Sequence, residues 1–148
     1  MTSEETISVL NDLIQVSKDG EREFHDCAEK VTDPELLNFF TKTSQRCAEG
    51  VKMLQEEVSR LGGEPETEGS FSGAAHRMWT NLKTAVASDD KGTILKACEI
   101  GEQHAVEAYE KALQEDLPAD IHNMVELQYH GVVANRDRVH NLVQRQMQ

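Results

Sequence analysis

Two stretches of this sequence are near copies of each other, and they restrict the fold more than any other feature. Asp19-Gly20-Glu21 runs on to Glu29-Lys30, and Ile100-Gly101-Glu102 runs on to Glu110-Lys111. The offset is 81 residues, and it also pairs Leu13-Ile14 with Ile94-Leu95. Each copy sets a Gly-Glu pair inside an apolar pattern of helical period, where a carboxylate is costly unless it finds a partner. The repeat predicts two related helical hairpins.

The spacing of apolar residues fills in the elements. Ile7, Leu10, Leu13, Ile14, Ser17, Glu21, Phe24 and Ala28 recur every three or four residues, one face of a helix from Thr2 or Ser3 to Val31. Thr32-Asp33-Pro34 stops that helix and starts the next, with Asp33 as cap and Pro34 at the first helical position. The second long helix runs to about Leu61, along a seam of Leu37, Phe40, Ser44, Cys47, Val51, Leu54, Val58 and Leu61. So short a connection makes the pair an antiparallel hairpin. Gly62-Gly63 ends it, and the residues to Ser70 read as an exposed, irregular loop. A short helix from Phe71 to Ala87 follows, broken by Ser88-Asp89-Asp90. A third long helix covers Lys91 to Glu115. After the proline turn Leu117-Pro118-Ala119-Asp120, a fourth runs to near Met147 along Ile121, Val125, Gln128, Val132, Asn135, Val139 and Leu142.

The expected architecture is therefore all-α: two antiparallel helix hairpins joined by a long crossover that carries its own short helix, all in one domain over 1–148. This is the connectivity of ferritin-like four-helix bundles. The segments KDGEREF, VSRLGGEPETEGS, HRMW, CEIGEQHAVEAYEKAL, DLPADI and NRDRV cover nearly the whole chain. In them the sequence resembles an uncharacterised bacterial family of ferritin-like four-helix bundles, a domain of unknown function. The resemblance implies the fold and says little of activity.

Charge and composition narrow the partners. Fifteen Lys and Arg face 27 Asp and Glu, a net charge of −12, which repels nucleic-acid backbones and anionic membrane surfaces. No stretch approaches the ~20 apolar residues of a membrane span. The acidic start, Met1-Thr2-Ser3-Glu4-Glu5, lacks the features of a signal peptide, and cytoplasmic residence is the default expectation. Cys27, Cys47 and Cys98 form no close pair and read as buried, reduced thiols. There is no phosphate-binding glycine loop and no Ser or Cys with the signature of a nucleophile.

The chemistry rests on Glu21 and Glu102. In di-iron proteins of the ferritin-like class, two helices each supply a Glu and the other two each supply Glu-x-x-His, all facing inward. Residues three apart share a helix face, so the carboxylate and imidazole converge on the metals. Glu21 and Glu102 suit the first and third long helices. The second offers Ser44, Cys47, Ala48 and Val51, the fourth Gln128, Gly131, Val132 and Asn135, and no Glu-x-x-His occurs anywhere. The leading expectation is a non-catalytic structural or interaction protein with a lost or degenerate di-iron site. Glu21, Glu102, Ser44, Gln128, Asn135 and Tyr109 would then form a buried polar centre. The alternative is a metal-binding or di-iron-type oxidative protein that holds iron or another divalent metal on Glu21 and Glu102. A third class, a binder of a small ligand in the bundle core, requires a cavity near Glu21, Glu102 and Gln128.

Four further features stand beside that centre. His122, Glu126 and His130 lie four residues apart on the fourth long helix, a surface array that can bind zinc but reads more plainly as a solvated face. Trp79, in His76-Arg77-Met78-Trp79, is expected to anchor the crossover. Phe39 and Val106, apolar and off the main seams, suggest a homodimer. Gly20 and Gly101 are expected to let the first and third long helices approach closely.

Overall fold

The computed structural model describes residues 1–147, which form five helices: α1 (Ser3–Ala28), α2 (Pro34–Arg60), α3 (Gly73–Ala87), α4 (Lys91–Leu113) and α5 (Ala119–Gln146). Their starts follow from local chemistry. Thr2 and Glu5 form a reciprocal capping box at α1, each side chain accepting the other's backbone N–H at 3.1 Å. Asp33 accepts from the Leu36 N–H at 3.0 Å, with Pro34 behind it. Asp90 caps α4 through the Thr93 N–H at 2.9 Å. The crossover helix starts at Gly73 rather than at the expected Phe71, because the Ser72 hydroxyl takes the Ala75 N–H and makes Ser72 the cap. Phe71 is left outside and exposed. At the end of α2, Gly62 adopts φ +85°, so that the next N–H, of Gly63, folds back to the Val58 carbonyl.

α1 pairs with α2 and α4 with α5, while α3 lies mainly against α4. Two apolar clusters fill the bundle, one at each end. One holds Phe24, Phe39, Phe40, Trp79, Leu95 and Leu142. The other holds Leu10, Ile14, Leu54, Val106, Tyr109 and Val125. Each takes the C-terminal part of α1 or α4 with the N-terminal part of the next hairpin helix, or the reverse, as antiparallel hairpins require. At the first end, Trp79 meets Phe24 edge-on with ring centroids 5.3 Å apart, and Phe24 in turn stacks on Phe40. Trp79 thus anchors the crossover, as its sequence context suggests.

The inner face of α2 departs from the sequence reading. Leu36, Phe39 and Phe40 are buried, whereas Leu37 is 42 % exposed. The stripe is wider than a strict coiled-coil seam, because α2 faces both its hairpin partner and the aromatic cluster. Phe39 and Val106, expected outside the seams, are both in the core.

The crossover loop between Gly62 and Ser72 is irregular, as expected, and is strapped to the first hairpin. Asn11 donates to the Glu64 carbonyl at 3.2 Å and accepts from the Glu66 N–H at 2.9 Å. Gln55 donates to the Glu66 carbonyl at 2.9 Å, and buried Asp19 accepts the Ser70 N–H at 3.1 Å. Among the described residues, no helix is long and apolar enough to cross a membrane.

Candidate functional site

Between the two apolar ends lies a polar waist, and most of the expected centre is there. Tyr109, buried on α4, donates its phenol proton to Gln128 Oε1 on α5 at 2.8 Å. The Ser17 hydroxyl on α1 lies 3.3 Å from the same phenol oxygen. Because that oxygen's own proton is committed to Gln128, Ser17 is the donor. Gln128 passes the chain on to the Gly50 carbonyl of α2 at 3.5 Å. Four helices are thus linked through one run of hydrogen bonds. Burial pushes the Tyr109 phenol up to about 12, so it stays a donor at physiological pH.

A second group lies beside it. Asn135 on α5 donates to the Thr43 hydroxyl on α2 at 3.2 Å. Ser44 donates to the Glu21 backbone carbonyl at 2.7 Å. Glu102 is 2 % exposed, and its Oε2 has no hydrogen-bond partner. The Arg46 guanidinium approaches that oxygen only to 4.0 Å, being held by the Gly131 carbonyl at 3.3 Å. Burial raises the Glu102 carboxyl above the ordinary carboxylate range, and Arg46 and Asn135 oppose the rise.

Glu21 is not part of this buried layer. Its side chain is 31 % exposed and pairs with Lys18 at 3.2 Å on the rim of α1. The reason is a one-residue rotation: Gly20 takes the inward position on α1, whereas α4 turns both Gly101 and Glu102 inward. The two copies of the Gly-Glu motif are therefore not equivalent in space. The expected close approach of their glycines is also absent. A Cβ on Gly20 would meet Cys47 Sγ of α2 at 2.8 Å, and one on Gly101 would meet the Trp79 ring of α3 at 3.9 Å.

The buried carboxylates of α1 are instead Asp19 and Glu23. Glu23 pairs with Lys83 of α3 at 2.9 Å and with Arg22 at 3.2 Å, while Asp19 holds the crossover loop. Sequence reading missed both, along with Thr43 and Arg46 at the waist. Their signal was a four-residue step, 19 to 23, on the face that also carries Gly20 and Phe24.

A cavity of about 250 Å³ opens at the waist, walled by Phe24, Trp79, Ala105 and Val132 and touched by Glu102, Tyr109 and Gln128. One glycine from each long helix lines it: Gly20, Gly50, Gly101 and Gly131. Cys47 lies at its edge, and burial pushes its thiol up to about 12.

Elsewhere, His122 and His130 flank Glu126 at 3.2 and 3.8 Å on an exposed strip of α5. Among the described residues, no three His, Cys, Asp or Glu side chains are placed to share a metal ion. The di-iron pair of the ferritin-like class does not fit the waist. Of the two carboxylates lining the cavity only Glu102 is buried, Glu49 being exposed, and the one imidazole, His104, is not gathered with them around a common point. The free oxygen of Glu102 faces a guanidinium, and the facing helices supply a serine, a thiol and two amides.

Five helices in this order, with the long crossover between two antiparallel hairpins, make the chain a ferritin-like four-helix bundle. The structure of a mutant of Mycobacterium smegmatis Dps1 is similar over 95 % of this chain and 96 % of that one, with a TM-score of 0.74 and 12 % identity. Residues 5–115 match the family described as "Domain of unknown function (DUF2383)", and the chain belongs to that family. A comparison with curated proteins finds no match.

Proposed function

We propose that this protein is a non-catalytic member of the ferritin-like class that acts by binding rather than by redox turnover, its di-iron site degenerate. The observation that carries this reading is the donor set of the waist. Where a metal pair needs converging carboxylates and imidazoles, this chain has Ser44, Cys47, Gln128, Asn135 and one buried carboxylate beside Arg46. The exposed Glu49 and the half-buried His104 at the same cavity do not converge with it. The alternative, metal binding on Glu21 and Glu102, loses support because Glu21 turns to Lys18. Loading with ferrous iron under argon, followed by air, separates the two. The expected result is iron oxidation at the buffer rate and no iron retained through gel filtration. Protein-accelerated oxidation that disappears in Glu102→Gln overturns the reading in favour of the alternative.

The reading places the protein in the cytoplasm, in keeping with three free cysteines and the acidic surface. It takes the assembly to be a homodimer. Phe39 and Val106 cannot join it, since both are buried, and the most exposed large apolar residues on the long helices are Ile100 and Leu127, 63 and 69 % exposed. Light scattering at twice the chain mass supports the dimer, and a monomer refutes it.

A further inference from the structure

The waist cavity has three properties that packing alone does not explain. The first concerns its glycines. Glycine is among the least favoured residues inside a helix, and a close neighbour usually accounts for it. At Gly20 one does, since a Cβ would collide with Cys47 Sγ. At Gly50, Gly101 and Gly131 the nearest atoms to an added Cβ stand at 3.7, 3.9 and 3.8 Å, ordinary contact distances. Alanine fits at all three. What those glycines preserve is open volume on three sides of one cavity.

The second property is the free oxygen of Glu102. A polar atom this deeply buried is nearly always hydrogen-bonded. Ser17, Ser44, Tyr109, Gln128 and Asn135 all have partners, and the other unpartnered polar atom on a residue lining the cavity is the indole nitrogen of Trp79, a donor rather than an acceptor. The third is access. Met53 and Leu127, two of the exposed large apolar residues, also line this cavity. They give it an apolar rim on the surface.

We infer that the waist cavity is a binding site for a compact, mostly apolar molecule bearing one hydroxyl, a small phenol or alcohol, seated with the hydroxyl on Glu102 Oε2. The size follows from the volume, about 250 Å³, just below the ~300–1,000 Å³ of sites for drug-sized ligands. The apolar body follows from the walls, where the rings of Phe24 and Trp79 offer aromatic edges and faces. The head group follows from Glu102 and its neighbour. With Arg46 already 4.0 Å away and Glu49 exposed to solvent, an ammonium would set two cations against one buried carboxylate. A hydroxyl carries no charge, and it can donate to the carboxylate or accept from the protonated acid. It therefore suits Glu102 on either side of its raised titration.

The test uses the full chain and three probes of nearly one shape: phenol, toluene and benzylamine. Binding is measured by calorimetry. Emission of Trp79, the chain's one tryptophan, excited to the red of the phenol band, is the second readout. Phenol is expected to bind saturably and at least about tenfold tighter than toluene, the discrimination a buried unpaired acceptor gives. Glu102→Leu, which keeps the bulk and removes the acceptor, is expected to erase that preference. Gly50→Ala, Gly101→Ala and Gly131→Ala, singly and together, are expected to raise the melting temperature while the triple variant weakens phenol binding at least about tenfold. The inference is overturned by absence of saturable phenol binding, by equal affinity for phenol and toluene, or by tightest binding of benzylamine. It is also overturned by alanines that leave phenol affinity unchanged.

Discussion

Glu21 and Glu102 occupy matching places in a sequence repeat and different environments in the fold, so they should respond differently to the same change. Glu21→Gln removes a half-exposed ion pair with Lys18, and its effect on unfolding free energy is expected to stay within about 0.5 kcal/mol. Glu102→Gln removes a buried carboxylate with an unpartnered oxygen and is expected to stabilise by about 1 kcal/mol at neutral pH. The pH dependence gives a sharper test. The Glu102 carboxyl is raised in the folded state, chiefly by burial, so the folded chain holds this proton more tightly than the unfolded one. Stability from this group is then full below the ordinary glutamate range and falls as pH rises through it toward the raised folded value. The gain from Glu102→Gln should therefore be small near pH 4 and grow toward pH 7, as read from urea unfolding across that range. A gain independent of pH would refute the assignment. The thiols give a second prediction at this scale. Burial pushes Cys27 and Cys47 up to about 12 and Cys98 well above its ordinary value. A chromogenic disulfide at pH 8 should titrate none of the three promptly in the native protein and all of them in denaturant. The sequence made the waist legible in Glu102, Tyr109, Gln128, Ser44 and Asn135, because helical spacing reports which face a residue occupies. It did not report a rotation of one residue. Gly20 and Glu21 are adjacent, and either could have been inward until the position of Cys47 on the neighbouring helix selected the smaller one.

The elements themselves were legible wherever a stop or a cap is written into the chain. Asp33-Pro34, Gly62 and Asp90 mark ends that the structure keeps, and the helix bounds differ from expectation by three residues or fewer. The start of α3 falls two residues after Phe71, whose apolar side chain fits the helical pattern, because Ser72 behind it is the better cap. The face of α2 was misread because two apolar pairs, Leu36-Leu37 and Phe39-Phe40, leave the phase of the stripe open until the aromatic cluster fixes it. The crossover loop was legible in composition alone. What holds it down is an acceptor fifty residues away, and no local pattern reveals that. Its pinning leads to a test. Asp19→Ala removes the acceptor of the Ser70 N–H. The loop carries Glu64, Glu66 and Glu68 and no basic residue, so a glutamate-specific protease is the suitable probe. Cleavage within the loop is expected to be at least about fivefold faster in the variant, the effect of ~1 kcal/mol on local opening. Equal cleavage rates would mean that Asn11 and Gln55 hold the loop by themselves.

At the scale of the whole molecule, the waist divides the interior without dividing the chain. Every long helix passes through it and contributes to both apolar ends. Neither end can be removed while the other keeps its walls, and the hydrogen-bonded run from Ser17 through Tyr109 and Gln128 to Gly50 links all four long helices at mid-height. Such a run fixes the rotational phase of each helix, a role attested for buried polar groups in coiled coils. The strap has a consequence of another kind, for the order in which a newborn chain takes shape. Asn11, Asp19 and Gln55 and the backbone they hold at Glu64, Glu66 and Ser70 all precede α4, as do the four rings of Phe24, Phe39, Phe40 and Trp79. A ribosome therefore releases the first hairpin, its strap and its aromatic cluster before it has made the second hairpin. On an arrested nascent chain with α1 to α3 outside the exit tunnel, Trp79 should already be shielded from a soluble quencher. If shielding arrives only when α5 emerges, the halves assemble together. If it is present at arrest, the second hairpin docks onto a surface prepared for it during translation.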